Sequence, residues 1–458
     1  MTGPVSGPSR EELVAWDDAS VWHPFTPHEV YRAEEPLMVV AGEGHYLIDA
    51  DGTRYLDGVS SLWCNLFGHR RPEIDAAIRA QLDRIAHSTF LGNASAPAVR
   101  LAHRLTTLAP DGLSRVFFSD DGSTAVEVAV KMAYQYWQQA DGGRGRDRTA
   151  FLALDDAYHG DTIGSVSIGG MDLFHKRYGS LLFPTIRAPS PHTYRRPAGH
   201  TASSYAEWCI DELERLVRVN ADRLAAVVLE PGVQGAAGMI VQPEGFVRRV
   251  REVTRQTGTL LILDEVAVGF GRSGRLFASE REGVSPDFLC LAKGLTGGYL
   301  PMAATLTTER IFEAFLGPPA EGRTFFHGHT YTGNQLAAAA ALATLDLLEH
   351  GGVLERLPAA IARLRDALGG LAGLAPVGDI RQYGLAAGIE LVADRASRTP
   401  FPPAERRGMR VCRAARRRGV FLRPLGDVVV VMPPLTVTDE EIDQIAATLA
   451  AAIPDGCA

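Results

Sequence analysis

The hydrophobic pattern is densest between Arg115 and Leu306, where short runs of apolar residues alternate with amphipathic segments. Val116–Phe118, Phe151–Leu154, Ala225–Leu229, Thr259–Leu263, Phe288–Leu291 and Ala303–Leu306 are predicted strands. Ser123–Gln138 and Glu244–Gln256 carry the helical period between them. The strand runs are apolar at nearly every position, as expected of strands buried on both faces. Together with intervening helices this predicts an α/β fold with a mostly parallel sheet flanked by helices. In such sheets ligands bind beyond the carboxyl ends of the strands.

The flanking stretches read differently. Leu37–Val40 and His45–Ile48 are predicted strands, with the Asp51-Gly52 turn before Tyr55. Pro72–Ala86 places Ile74, Ile78, Leu82 and Ile85 at helical spacing, and Ala96–Leu108 is a second helix. Residues 1 to about 20 are expected to be a mobile lead-in. The Pro, His, Ser and Arg-rich region 185–205 is expected to be a long surface loop. Leu336–Glu349 is a helix leading out of the sheet region. From about residue 350 a smaller α+β unit is predicted, with a helix over Val353–Leu368 and strands at Val420–Leu422 and Val428–Met432. Thr438 with Glu441 three positions on has the pattern of a capping box opening the last helix.

Composition narrows the function classes. The 458 residues are 46% hydrophobic and 22% charged, an ordinary globular balance. The net charge of −8 argues against a nucleic-acid binder. Arg416-Arg417-Arg418 is read as a solvated helix face. Five cysteines, widely spaced and without a CxxC, predict neither a disulfide framework nor a zinc site. The first residues show no signal-peptide pattern, and the apolar run Leu336–Leu345 is too short for a bilayer, so a soluble cytoplasmic protein is expected.

Four features fall at predicted strand ends. Ser119 to Thr124 joins a strand to a helix, and a helix start with Gly122, Ser123 and Thr124 suits a phosphate. Asp264 follows a wholly apolar strand and needs a partner such as a protonated ring nitrogen. Tyr158 could stack on a planar ligand, with His159 beside it. Lys293 ends another buried strand, where desolvation would lower its pKa and make a nucleophilic amine. Alone, each has an ordinary reading: a helix cap, a salt bridge, a core tyrosine, a lysine reaching solvent. Together they match the needs of pyridoxal 5'-phosphate, an amine to hold it and a carboxylate for its ring nitrogen. Gly269-Phe270-Gly271-Arg272-Ser273-Gly274 is a literal GxGxxG, yet no convincing helix follows, Asp287 comes too early for the ribose acid, and Asp264-Glu265 would face the pyrophosphate. A glycine-dependent turn is the preferred reading over a dinucleotide oxidoreductase. His327-Gly328-His329 lacks a third ligand, so no metal is expected.

Leu261 to Gly274, Pro286-Asp287 and Ala292-Lys293-Gly294 together resemble the class III pyridoxal-phosphate aminotransferases over nearly the whole chain. Val268 departs from the threonine common in that family. Trp22 to Thr26, Gly58 to Trp63, Lys131 to Trp137, His327 to Asn334, Arg423 to Gly426 and Met432-Pro433-Pro434 resemble its biotin-pathway branch, which converts 8-amino-7-oxononanoate to 7,8-diaminononanoate.

The resemblance implies fold type I, with a 1–75 segment contributing to the small domain and active site, a 76–349 cofactor domain and a 350–458 small domain. It implies Lys293 as the Schiff-base lysine, Asp264 as the ring-nitrogen partner, and Tyr158 stacked on the ring, these three being the catalytic set. Gly122, Ser123, His159 and Val266 complete the cofactor site, with His329 and Thr330 reaching the phosphate in the neighbouring subunit of a homodimer. Phe25, Leu62, Trp63, Tyr158, Lys293, Gly328 and Arg423 are the implied substrate contacts. Branches using S-adenosylmethionine as donor tend to have Tyr, Trp and Tyr where this chain has Phe25, Leu62 and Val430, so lysine is the donor expected here. The alternatives are a broad ω-amine or diamine transaminase and, outside enzymes, an inactive paralogue.

Overall fold

The computed structural model describes residues 7–34 and 36–458. Its centre is a seven-stranded sheet in the order Leu113–Ser119, Ala303–Thr308, Phe288–Leu291, Leu260–Asp264, Leu224–Leu229, Ala150–Leu154, Thr185–Ala188. The Ala303–Thr308 strand runs antiparallel to both neighbours, and the other adjacent pairs are parallel.

The unbroken apolar runs serve two cores at once. Leu261, Leu263, Val227, Leu229, Leu289 and Leu291 face one side, among the residues of Ala96–Leu108, Phe246–Thr257 and Gln335–His350. Ile262, Leu260, Val228, Ala226, Phe288 and Cys290 face the other, against Ala125, Val126, Ala129 and Ala133 of the Gly122–Gln139 helix. Successive strand residues point to opposite faces, so a sheet covered on both sides must be apolar at every position.

Of the two four-stranded sheets, one joins the chain's ends and the other lies wholly in the C-terminal part. Val39–Glu43, Tyr46–Asp49 and Arg54–Asp57 pair with Val420–Phe421 from the C-terminal part. Val377–Tyr383, Ala386–Leu391, Val428–Val431 and Arg423–Leu425 form the other. Asp439–Cys457 is the last helix, and Thr438 and Glu441 make the expected capping box.

Several expectations need correction. Residues 10–20 form a helix, opened by a capping box between Ser9 and Glu12; residues 1–6 of the expected lead-in lie outside the described residues. The expected loop at 185–205 contains the edge strand Thr185–Ala188 and the start of an 18-residue helix, Ala202–Val219, capped by Thr201. The Pro72 helix ends at Leu82, and Leu82 and Ile85 are exposed; in the turn that follows, Gln81 Nε2 donates to the Ile85 carbonyl at 2.9 Å. Among the described residues the cysteines are free, no cluster of metal-ligating side chains occurs, and no single helix is long and apolar enough to cross a membrane.

Candidate active site

Beyond the carboxyl ends of the central strands lies a cavity of about 710 Å³. It is lined by Lys293, Asp264, Val266, Tyr158, His159, Gly122, Ser123 and Trp63, among others. The sheet's register explains the meeting. Leu260–Asp264 pairs in parallel with Phe288–Leu291, with Asp264 opposite Cys290, so the acid and the lysine three residues on leave the sheet at the same edge.

Asp264 is buried and held on both oxygens. Val266 N–H donates to Oδ1 at 3.0 Å, and His159 Nδ1 lies 2.8 Å from Oδ2. His159 Nε2 has no hydrogen-bond partner, which leaves a buried polar atom beside the cavity. Lys293 has a positive φ of 40°, a strained conformation for a non-glycine residue at a strand end. Burial pushes its ammonium pKa down, partly offset by Asp264 and Glu230. Its Nζ lies 5.1 Å from the centre of the Trp63 ring.

Gly122 and Ser123 begin the 18-residue helix whose N-cap is Asp121; the Asp121 carboxylate accepts from Thr124 N–H at 2.9 Å. First-turn N–H groups have no intrahelical partner, so Gly122 and Ser123 present theirs at the cavity. A side chain at Gly122 would come within 2.5 Å of Val266 Cγ1, so glycine is needed there. Ser123 Oγ is fixed by Thr162, accepting from its N–H at 2.9 Å. Tyr158 donates to Asp161 Oδ2 at 2.7 Å, and burial together with that carboxylate raises its pKa strongly.

Trp63 reaches the cavity from an unusual turn in which Ser60, Ser61, Leu62 and Trp63 all have positive φ. Asp57 holds this turn through Ser61 N–H (2.9 Å) and Ser61 Oγ (2.7 Å). Arg272, fully buried, donates to Ser60 Oγ at 3.3 Å and to the Leu385 and Pro433 carbonyls. Burial lowers its pKa to about 10. The GxGxxG stretch is therefore a structural turn: Gly271 and Gly274 have φ of 94° and 89°, and no helix starts there.

Not every expected residue lines the cavity. Phe25 is exposed and meets it indirectly, its ring 5.2 Å from Phe174, which in turn lies 6.1 Å from Tyr158. Leu62 is half exposed on the strained turn. His329 Nδ1 lies 3.1 Å from Asp120 Oδ2 at the cavity mouth, while Gly328 and Thr330 are exposed on the same loop. Arg423 is exposed on a strand whose partner residue, Val430, packs in one cluster with Trp63. Glu230 was missed, although it carries the signal that exposed Asp264: an acid directly after an apolar strand, Leu224–Leu229. It lines the cavity, and burial pushes its pKa up to about 7.

The donor set fits pyridoxal 5'-phosphate: a desolvated amine, a buried carboxylate across the same cavity, an aromatic side chain, and a glycine-lined helix start for the phosphate. The family pattern described as aminotransferase class-III matches residues 30–453. The adenosylmethionine-8-amino-7-oxononanoate aminotransferase of Nitratidesulfovibrio vulgaris is 57% identical over 99% of this chain and 83% of its own length. The crystal structure of the enzyme of that name from Methanocaldococcus jannaschii superposes with a TM-score of 0.92 at 42% identity, covering 97% of this chain and 99% of the other. A thermostable (S)-enantioselective omega-transaminase from Thermomicrobium roseum gives 0.92 at 38% identity, covering 98% and 99%. The chain belongs to the class III aminotransferases, pyridoxal 5'-phosphate-dependent transaminases of fold type I.

Proposed function

We propose that this aminotransferase converts 8-amino-7-oxononanoate to 7,8-diaminononanoate, a step of biotin biosynthesis. The observation that carries the chemistry is the placing of Lys293 and Asp264 in one cavity; the substrate is carried by the names of relatives at 57% and 53% identity.

Bound pyridoxal 5'-phosphate supplies an electron sink for the carbanion formed at the reacting carbon. The chain's own residues do the rest. Lys293 would hold the cofactor through its amine and, when free, would move a proton as base and acid. Its lowered pKa favours the neutral amine this requires. Asp264, positioned by His159, keeps the ring nitrogen protonated. Gly122 and Ser123 would bind the phosphate, and Tyr158 and Val266 would pack against the ring. His329 and Thr330 serve the neighbouring subunit's cofactor in a homodimer. Trp63, Leu62, Phe25 and Gly328 bound the substrate channel, and Arg423 holds the far carboxylate, for which a guanidinium fork is suited.

The donor is read as lysine on Phe25, Leu62 and Val430, whereas the relatives' names carry adenosylmethionine. A single-turnover comparison decides between them. Rapid bleaching of the cofactor band by S-adenosylmethionine, with none by lysine, overturns the lysine reading. The substrate is tested by mixing the purified enzyme with 8-amino-7-oxononanoate and each donor and detecting the diamine by mass spectrometry. Turnover of simple amines and ketones with none of the amino ketone would assign a broad amine transaminase instead.

A further inference from the structure

Glu230 is 7% exposed and sits in the active cavity with Lys293, Trp63, Cys64 and Ala236. Its Oε1 accepts from Gly235 N–H at 2.9 Å. Its Oε2 has no hydrogen-bond partner, and among the described residues it is the one buried carboxylate oxygen in that state. The neighbouring acids differ: Asp264 is matched on both oxygens, and so is Glu265, which accepts from Ala278 N–H at 2.6 Å and Ser279 N–H at 2.8 Å. A side chain at Gly235 would stand 3.3 Å from the Trp63 ring and 3.6 Å from Glu230 Oε1, so glycine keeps the space between them open. An unmatched buried oxygen is costly, and a group from a ligand removes that cost.

We propose that Glu230 Oε2 receives the amino group on the carbon next to the reacting carbonyl, and so selects vicinal amino ketones and diamines over simple ketones and amines. The inference rests on the reading of the substrate as an amino ketone. 8-Amino-7-oxononanoate carries that amino group at the carbon beside its ketone, and an ordinary amine-transaminase substrate has only carbon there. One proton is shared between the two groups, as carboxylate with ammonium or as carboxyl with amine, and none is gained or lost overall. A charge-assisted contact of this kind is about twice as strong as a neutral one. The titratable groups facing Glu230 are His159, Asp264 and Lys293, and the backbone N–H groups of Gly235 and Tyr158 favour its ionised form while Asp264 opposes it.

The test is Glu230→Gln in the holoenzyme, which keeps an oxygen for Gly235 N–H and cannot take the charge. Two acceptor pairs differ in the neighbouring amino group: 8-amino-7-oxononanoate with 7-oxononanoate, and aminoacetone with butanone. The expected result is a fall in kcat/KM of about 100-fold for the amino ketones and less than about threefold for the simple ketones. Calorimetry of 1,2-diaminopropane against 2-aminobutane on the cofactor-free protein is expected to show the same selective weakening. Equal losses for both members of a pair, or no loss for either, overturn the role. If the wild type uses aminoacetone and not 8-amino-7-oxononanoate, the substrate reading fails while the short pair still decides the role of Glu230.

Discussion

At the amino end of the Phe288–Leu291 strand, Asp287 is buried and every carboxylate oxygen is matched. Arg251 Nη1 at 2.7 Å and Leu261 N–H at 2.9 Å donate to Oδ2, and Arg310 Nη2 at 3.0 Å donates to Oδ1. At the carboxyl end of the same strand Lys293 makes no hydrogen bond to the described residues, His159 Nε2 is unmatched, and so is Glu230 Oε2. The same buried layer thus ends, on one edge, in an ion pair whose carboxylate is fully matched and which leaves over only Arg251 Nε, and, on the other, in unmatched groups that line the cavity. Buried polar groups without partners are costly and are retained where a ligand completes them. The contrast separates residues that hold the sheet from residues proposed to act.

Substitutions at the open edge should cost activity and spare the fold. Lys293→Ala is expected to lower turnover by about 10⁴-fold or below detection, with an unchanged melting temperature of the cofactor-free protein. Loss of folding in that variant would erase the contrast. Asp264→Asn keeps the shape and weakens the hold on the ring nitrogen; a loss in kcat on the order of 10²–10³ is expected, read by steady-state kinetics.

The closed edge should behave the other way. Asp287→Ala strands the buried guanidinium of Arg251 and is expected to cost about 3–5 kcal/mol in denaturant unfolding, with turnover per folded molecule unchanged. A large kcat effect there would break the division.

Glu265 sharpens the comparison because it adjoins Asp264 and belongs with the structural acids. Burial raises its pKa to about 7, above the usual 4.5. The folded state therefore binds its proton more tightly than the unfolded chain, and stability is lost as pH rises from about 4.5 through 7. The loss from this group is up to about 3 kcal/mol, and Glu265→Gln is expected to flatten that slope in thermal melts at pH 5 and pH 8. The smallest effect is expected at Arg310, whose side chain is 55% exposed. Arg310→Ala should cost about 1 kcal/mol or less in the same denaturant assay, because Arg251 still pairs with Asp287.

Lys293 and Asp264 were legible because each interrupts an apolar run at the point where the run ends. Glu230 carries the same signature, directly after the Leu224–Leu229 strand. The hairpin Val377–Tyr383 with Ala386–Leu391 left little trace in the pattern. Its alternation is broken by Gly378, Gly384 and Gly388, and Glu390 is buried through Arg381 and Arg195, partners far apart in sequence. The strained turn at 60–63 has no signal in residue type, since nothing in Ser-Ser-Leu-Trp favours positive φ. It is held locally by Asp57 and from afar by Arg272 and the Met432 carbonyl, and the last two contacts are tertiary. The Ser9–Glu12 capping box, by contrast, has a plain signal in residue type: Ser three positions before Glu.

The most direct test of the central claim uses the scarcity of lysine, since the chain contains three: Lys131, Lys176 and Lys293. Borohydride reduction of the holoenzyme fixes the cofactor to the amine that holds it, and peptide mass spectrometry then locates the adduct. The account predicts a pyridoxyl group on Lys293 alone. An adduct on Lys131 or Lys176, with Lys293 unmodified, would contradict it.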